Sequence, residues 1–298
     1  MEHRAESNKA AILKGDAFVT PGIPIVTTDA HPGVRETYFQ AMASTLIYGM
    51  QDAVLVDAFM TVKQANALAD WVALRGKKLT TIYITHGHGD HWFGVGTLLE
   101  RFPNARAVAR PNTVKVMRQN ASPQMLDGAW KPGFPGQIPD KLVIAEELKG
   151  NVIDLKGHEL VAVELGHTDT DHTTCLHVPS IGLVVAGDAA YNDVHLYLAE
   201  SNAQKRQEWI AALDKIDSLH PRAVSLPIND RRTTTIPGLS KRRGSTSAIS
   251  IGWQKRPEPL KSSTTRCWSS IRTGLILGGH CGVRLAPSSH ESGGDHRG

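Results

Sequence analysis

The period of hydrophobic and polar positions changes several times along the chain. "STLIYG" (44–49) and "AVLVDA" (53–58) are apolar runs flanking a Met-Gln-Asp turn, and they predict a strand pair. "TVKQANALADWVALRG" (61–76) switches to helical spacing and ends at Gly76, a usual helix stop. "LTTIYITHG" (79–87) is a β-branched run that breaks into a His/Gly loop. Residues 94–102 predict a helix, 105–110 a short strand, and 111–120 a helix opening with Pro111. "GAWKPGFPGQIPD" (128–140) is rich in Pro and Gly and predicts a loop. Its Trp130 and Phe134 suit a lid over a small, partly apolar substrate. Residues 151–155, 158–166, 173–179 and 181–189 predict four successive strands. In 202–221, Trp209, Ile210, Leu213, Ile216 and Leu219 form one helical stripe. Strands mixed with helices, then strands, then a helix predict an α/β (α+β) fold of two packed sheets with helices outside.

Composition narrows the class. The 298 residues suffice for one large domain or two ordinary ones, and 41% hydrophobic with 21% charged residues is globular. There is no apolar run of 18 residues, so no membrane span is expected, and Met1–Gly22 lacks the apolar centre of a secretory signal. Three cysteines without paired spacing (Cys175, Cys267, Cys281) predict a reducing, cytoplasmic setting. Cys175, in a strand, reads as a small core residue rather than a nucleophile. The net charge of +4 averages two unlike parts: residues 231–298 hold 12 Lys+Arg against 3 Asp+Glu, leaving 21 against 26 in residues 1–230. The acidic balance of the larger part argues against a nucleic-acid partner.

The chemistry is concentrated in "YITHGHGDHWFG" (83–94). His86, His88, Asp90 and His91 follow a strand, and Gly87 and Gly89 between them are expected to let the backbone turn tightly. Imidazole and carboxylate hold Zn(II) and similar divalent ions. Crowding such groups on one loop is costly unless a cation satisfies them.

His-x-His-x-Asp-His after an Ile/Tyr-rich strand resembles the signature of the metallo-β-lactamase superfamily, and the resemblance runs from Ser44 to about Arg222. It implies a four-layer αββα sandwich and a metal-dependent hydrolase. Further positions match its motifs: Asp57 as an aspartate supporting a ligand, His167 in "ELGHTDTDH", and Asp188 in "LVVAGDAAY" as a bridging carboxylate. By this resemblance His86, His88 and His167 would hold one ion. Asp90, His91 and Asp188, with one more histidine, would hold a second. Two such ions about 3.5–4 Å apart share a water and lower its pKa toward 7. Asp90 would then orient the attacking water and accept its proton. The implied cofactor is zinc, as one or two ions. The implied partner is a small acyl substrate (an ester, lactone, amide or thioester), with no nucleic acid and no membrane; the sequence leaves the oligomeric state open. A thioester hydrolase of the glyoxalase II kind is the alternative within the enzymes. Glu is expected at His88 in the oxygen-reducing di-iron branch, so that branch is disfavoured. Trp92, Tyr191 and His195 are candidate substrate contacts, and His172 a structural or ligand-supporting residue.

The resemblance weakens after Val224. Where the family's last histidine is expected, the chain reads "HPRAVSLPINDRR" (220–232); beyond it, residues 231–298 hold 18 Ser and Thr and lose periodicity. Joining each codon's third base to the next codon's first two lets "PINDRR" encode His-Lys-Arg-Pro-Glu, and "LSKRRGSTSAIS" encode a charged helical segment. This pattern predicts a shifted reading frame near 224–228. It divides the chain into a hydrolase domain at 1–222 and a basic, loosely ordered tail at 223–298. The last strand and helix of the sandwich would then be missing and the second metal site incomplete. A catalytically weak metal-binding protein is the resulting alternative.

Overall fold

The computed structural model describes residues 12–27, 36–192, 196–226, 228–229 and 283–285. Its strands, in chain order, are β1 (Lys14–Thr20), β2 (Ile23–Ile25), β3 (Thr37–Phe39), β4 (Met42–Tyr48), β5 (Asp52–Val56), β6 (Lys78–Ile84), β7 (Arg106–Ala109), β8 (Glu146–Glu147), β9 (Val152–Leu155), β10 (His158–Gly166), β11 (Thr173–Val178), β12 (Leu183–Val185), β13 (Tyr191–Asn192), β14 (Ala223–Ser225), β15 (Ile228–Asn229) and β16 (Val283–Leu285). The α-helices are α1 (Val62–Leu74), α2 (Gly89–Trp92), α3 (Val95–Arg101), α4 (Pro111–Asn120), α5 (Pro123–Met125), α6 (Lys131–Gly133) and α7 (Ala203–Ser218). No helix among the described residues is long and apolar enough to cross a membrane.

The largest sheet runs β13-β15-β4-β5-β6-β7-β8, with β1 added on β4; a second runs β14-β12-β11-β10-β9, and a small third runs β16-β3-β2. The period-2 alternation of the strands sorts their side chains between two faces. On β5, Ala53 and Leu55 face a core shared with α1, α3 and α4, whereas Val54 and Val56 face the opposite sheet. On β11 and β12, Leu176, Val178, Leu183 and Val185 meet Val54, Val56 and Tyr83 between the sheets. Cys175 and Val184 point the other way, into the cluster closed by Trp209, Leu213 and Ile216 of α7. Three apolar clusters thus separate four layers in the order helix, sheet, sheet, helix, as the residue pattern predicts. Cys175 is a buried free thiol whose pKa burial pushes up to about 12, which fits a core residue.

Local chemistry explains the boundaries. Helix α1 opens with a capping box in which Thr61 accepts from the Gln64 N–H and the Gln64 side chain accepts from Thr61. It stops before Gly76, which takes the left-handed φ of +62° that favours glycine. Helix α4 begins at Pro111, as expected.

Two expectations need correction. The segment 128–140 is not a free loop: Leu126–Trp130 forms a π-helical turn that continues into α6. Phe134 is buried edge-on against Phe39, and Trp130 packs on Phe93, so both aromatics are anchored in the core rather than carried on a lid. The boundary at residue 222 also falls short. Strand β14 pairs in parallel with β12 through Leu183–Ala223, Val184–Val224 and Val185–Ser225, and Leu226 is buried beside α7. Hydrocarbon at Val224 and Leu226 joins the outer core beneath α7, which accounts for the strand's place in the sheet. Apart from 228–229 and 283–285, the tail beyond Leu226 lies outside the described residues.

Candidate metal centre

The site forms where β5, β6, β10 and β12 end on one edge of the sandwich. Asp57, just after β5, has φ +65°, a left-handed conformation that Asp tolerates better than most residues. Its backbone N–H donates to the Tyr83 carbonyl, and its own carbonyl accepts from Ser44 Oγ at 2.8 Å. Its carboxylate accepts from the Thr85 N–H at 2.9 Å, the Thr85 hydroxyl at 2.9 Å and His91 Nδ1 at 2.9 Å. This network holds the strained residue and fixes the loop above it.

Gly87 and Gly89 serve that loop by close approach rather than by unusual torsion, which corrects the expectation of a tight turn. Neither is among the positive-φ glycines. A Cβ on Gly87 would lie 2.5 Å from Val116 Cβ, and one on Gly89 would lie 2.3 Å from the Phe93 ring. The loop is therefore pressed onto α4 and the aromatic core.

Four histidines converge here, and each has one ring nitrogen held by an oxygen. His86 Nδ1 meets Thr85 Oγ1 at 3.1 Å, His88 Nε2 meets Glu200 Oε1 at 2.9 Å, His91 Nδ1 meets Asp57 Oδ2, and His167 Nδ1 meets Asp171 Oδ1 at 2.7 Å. Such partners fix the ring and leave the second nitrogen free to bind a metal. The second nitrogens face inward. His86 Nε2, His91 Nε2 and His167 Nε2 are buried without a hydrogen-bond partner, as are Asp169 Oδ2 and Asp188 Oδ1. Buried polar atoms are rarely left unsatisfied, so five at one edge are the mark of a cation site.

The close approaches agree. His91 Nε2 lies 3.1 Å from Asp188 Oδ1 and 3.5 Å from Asp90 Oδ2. Asp169 Oδ2 lies 2.8 Å from His88 Nδ1 and 3.5 Å from His86 Nε2. Among the described residues, ligand atoms of His86, His91 and Asp188 lie within 4.8 Å of one another, as do those of His86, His88 and Asp169. His86 belongs to both groups. A divalent ion therefore fits the donor set, which is imidazole and carboxylate throughout.

A family model of the Metallo-beta-lactamase superfamily matches residues 38–227, well over half of the chain. The chain belongs to this superfamily. A metallo-beta-lactamase family protein from Thermus thermophilus superposes with a TM-score of 0.51 at 18% identity, over 70% of this chain and 73% of that one. The structure of VMB-1 does so with a TM-score of 0.50 at 17% identity, over 74% and 90%. These likenesses concern the fold. The hydroxyacylglutathione hydrolase of Francisella tularensis subsp. novicida (strain U112) is 36% identical over 64 residues, which are 22% of this chain and 24% of that protein. The chain thus aligns with only about a quarter of the length of that relative.

Within this superfamily fold, the residues singled out from the sequence take different places. His86, His91, Asp90 and Asp188 come together, with His88 on the rim at 12% side-chain exposure. His167 is buried with its Nε2 bare, yet it joins neither group of ligand atoms within 4.8 Å. The expected division into two ligand sets is blurred, because His86 stands between them and Asp169 enters. Tyr191 donates to Asp188 Oδ2 at 2.7 Å and is buried, so it steadies a carboxylate rather than lining an open pocket. Trp92 is fully buried in the helix-side core, its indole N–H donating to the Gly87 carbonyl at 3.0 Å. A substrate cannot touch it without opening that core. His172 is exposed with φ +60°, and its carbonyl accepts from Thr113; the support of His167 falls to Asp171 instead. His195 lies outside the described residues.

Asp169 and Glu200 were not singled out from the sequence. "HTDTDH" offers two carboxylates, Asp169 and Asp171, and residue spacing does not say which of them turns inward. Glu200 lies on a different segment and meets His88 only through the fold.

The charges are strongly coupled. Burial alone would lower the His88 pKa, but Asp169 and Glu200 outweigh it and hold that pKa well above the imidazole range. His91 is likewise depressed by burial and raised, on balance well above that range, by Asp188, Asp90 and Asp57. His86 is lowered by burial and by His91. Asp90 is raised by burial and by Asp188. In Asp169, His86 and His88 overcome the burial penalty and lower the pKa.

Proposed function

We propose that this chain is a metal-dependent hydrolase, loaded with zinc, that cleaves a small ester, lactone, amide or thioester. The observation that carries the reading is the set of five buried, unpartnered donor atoms on His86, His91, His167, Asp169 and Asp188. His86, His88, His91, His167 and Asp188, with Asp90, are the residues that would hold the ions. Bound there, zinc would supply a Lewis acid and a water of lowered pKa.

The protein's own part can be traced residue by residue. Thr85, Glu200, Asp57 and Asp171 hold the four imidazoles with one nitrogen each turned inward. Tyr191 holds Asp188 from behind. Asp90 sits at the N-terminus of α2, facing His91, and its raised pKa suits a group that takes a proton from an attacking water. The described residues place no cysteine at the site, since Cys175 lies in the core beside α7. A thioester substrate is the second reading; the partial match to hydroxyacylglutathione hydrolase supports it.

The test is metal content together with turnover. The purified chain, assayed on a panel of ester, lactone, amide and thioester substrates, is expected to lose hydrolysis on dialysis against a chelator and regain it with zinc. Hydrolysis that survives removal of all metal, or a chain that binds no zinc, would overturn the proposal.

A further inference from the structure

The ligand set implied by the superfamily resemblance has no member between His167 and Asp188, yet Asp169 sits in the middle of the site. We propose that the Asp169 carboxylate is itself a ligand of the ion held by His86 and His88; this rests on the metal-hydrolase reading above.

Three observations carry it. First, Asp169 is fully buried, and its Oδ2 has no hydrogen-bond partner, while its Oδ1 accepts from the Thr168 hydroxyl at 2.8 Å. One oxygen is anchored by a hydroxyl, and the other meets only imidazole nitrogens. Second, Oδ2 approaches two imidazole nitrogens at once, His88 Nδ1 at 2.8 Å and His86 Nε2 at 3.5 Å. It is aligned for a hydrogen bond with neither. Atoms that crowd together off their hydrogen-bonding directions share a common target. Third, the supporting role is already taken. A carboxylate that only steadies a histidine binds the nitrogen facing away from the metal. For His88 that nitrogen is Nε2, and Glu200 holds it. Asp169 stands on the other side of the ring. It is to His88 what Asp188 is to His91, whose outer nitrogen belongs to Asp57.

The consequence is a site with a negative ligand among its imidazoles. A catalytic zinc ordinarily keeps one position open beside three protein ligands. With His167 also bound, Asp169 would be a fourth, so water entry would require a fifth position or release of Asp169.

The experiment uses the full chain. Zinc affinity is measured by chelator competition for the unaltered protein, Asp169→Asn and Asp169→Cys, and the same proteins are loaded with Co(II). Outer partners of ligands cost about 10–100-fold in affinity, so Asp169→Asn is expected to lose more than about 100-fold. Asp169→Cys is expected to show a thiolate-to-cobalt charge-transfer band in the near ultraviolet that the unaltered protein lacks. A loss within 100-fold without that band overturns the proposal. A zinc-loaded crystal structure of the unaltered chain decides independently of whether the variants fold. It is expected to place Oδ2 about 2.0–2.2 Å from the ion; an Oδ2 beyond bonding distance refutes the inference while leaving the hydrolase reading intact. An unaltered chain that binds no zinc overturns both.

Discussion

At the scale of single residues, the candidate site sets two histidines, His88 and His91, against buried carboxylates. His88 and His91 carry raised pKa values, because the carboxylates around them outweigh the cost of burial. In the metal-free chain these ion pairs stabilise the fold in full below the unfolded value of about 6.5. That contribution fades as the pH rises through the raised folded values. Metal binding has the opposite sign. On the proposed reading, Nδ1 of His88 and Nε2 of His91 would have to shed their protons to bind zinc, so zinc affinity is expected to rise with pH by about tenfold per unit for each proton displaced. Titration calorimetry in buffers of different ionisation heat is expected to count between one and two protons released per loaded chain at neutral pH. No proton release would show that the two imidazoles are already neutral, or do not bind the ion.

At the scale of elements, the loop after β6 is shaped by what it rests on. Phe93 is fully buried between Trp92 and Trp130, so it cannot yield to a methyl group placed 2.3 Å from its ring. Gly89→Ala is therefore expected to cost about 1–3 kcal/mol, the range for overpacking. Gly128→Ala, exposed in the π-helical turn with nothing within 4 Å of the new Cβ, is expected to be neutral or to stabilise by about 0.4–1 kcal/mol. Thermal melts of the metal-free variants check both, and equal effects would refute the packing argument. The same elements show what was legible in advance. Pro111 and Gly76 mark helix ends by local chemistry, so α4 and the end of α1 lie where the residues place them. The segment 128–140 misleads because its prolines and glycines fit helical turns once Phe134 and Trp130 dock on the core, and docking is not a local property. Strands β1 to β3 draw no prediction. Lys14–Thr20 has only weak alternation, and its order comes from pairing with β4. In the site, the histidines are visible as a motif, whereas Asp169 and Glu200 are revealed only by the rings they touch.

At the scale of the whole molecule, the sandwich brings candidate ligands from His86 to Asp188 to one edge, and the strand after which the resemblance implies one more histidine is β14. Strand β14 pairs with β12 and ends at Ser225, whose hydroxyl meets Thr45 Oγ1 at 2.7 Å across the two sheets. The next residue, Leu226, is buried hydrocarbon. Around His91 the second group of donors is then Asp188, Asp90 and the shared His86. His91, two carboxylates and a shared imidazole bind an ion more weakly than the same set with one further imidazole, because each ligand contributes binding free energy that also stabilises the fold. A chain re-encoded so that His-Lys-Arg-Pro-Glu follows at residue 227 is expected to hold two zinc ions after gel filtration, against one for the present chain. It should also melt at a higher temperature in zinc but not in chelator, since a ligand that binds only the folded state stabilises it by mass action. Metal analysis by mass spectrometry with paired melts measures both. Equal stoichiometry in the two chains would mean that Asp90, His91 and Asp188 already complete the second site, and that the added histidine is not a ligand.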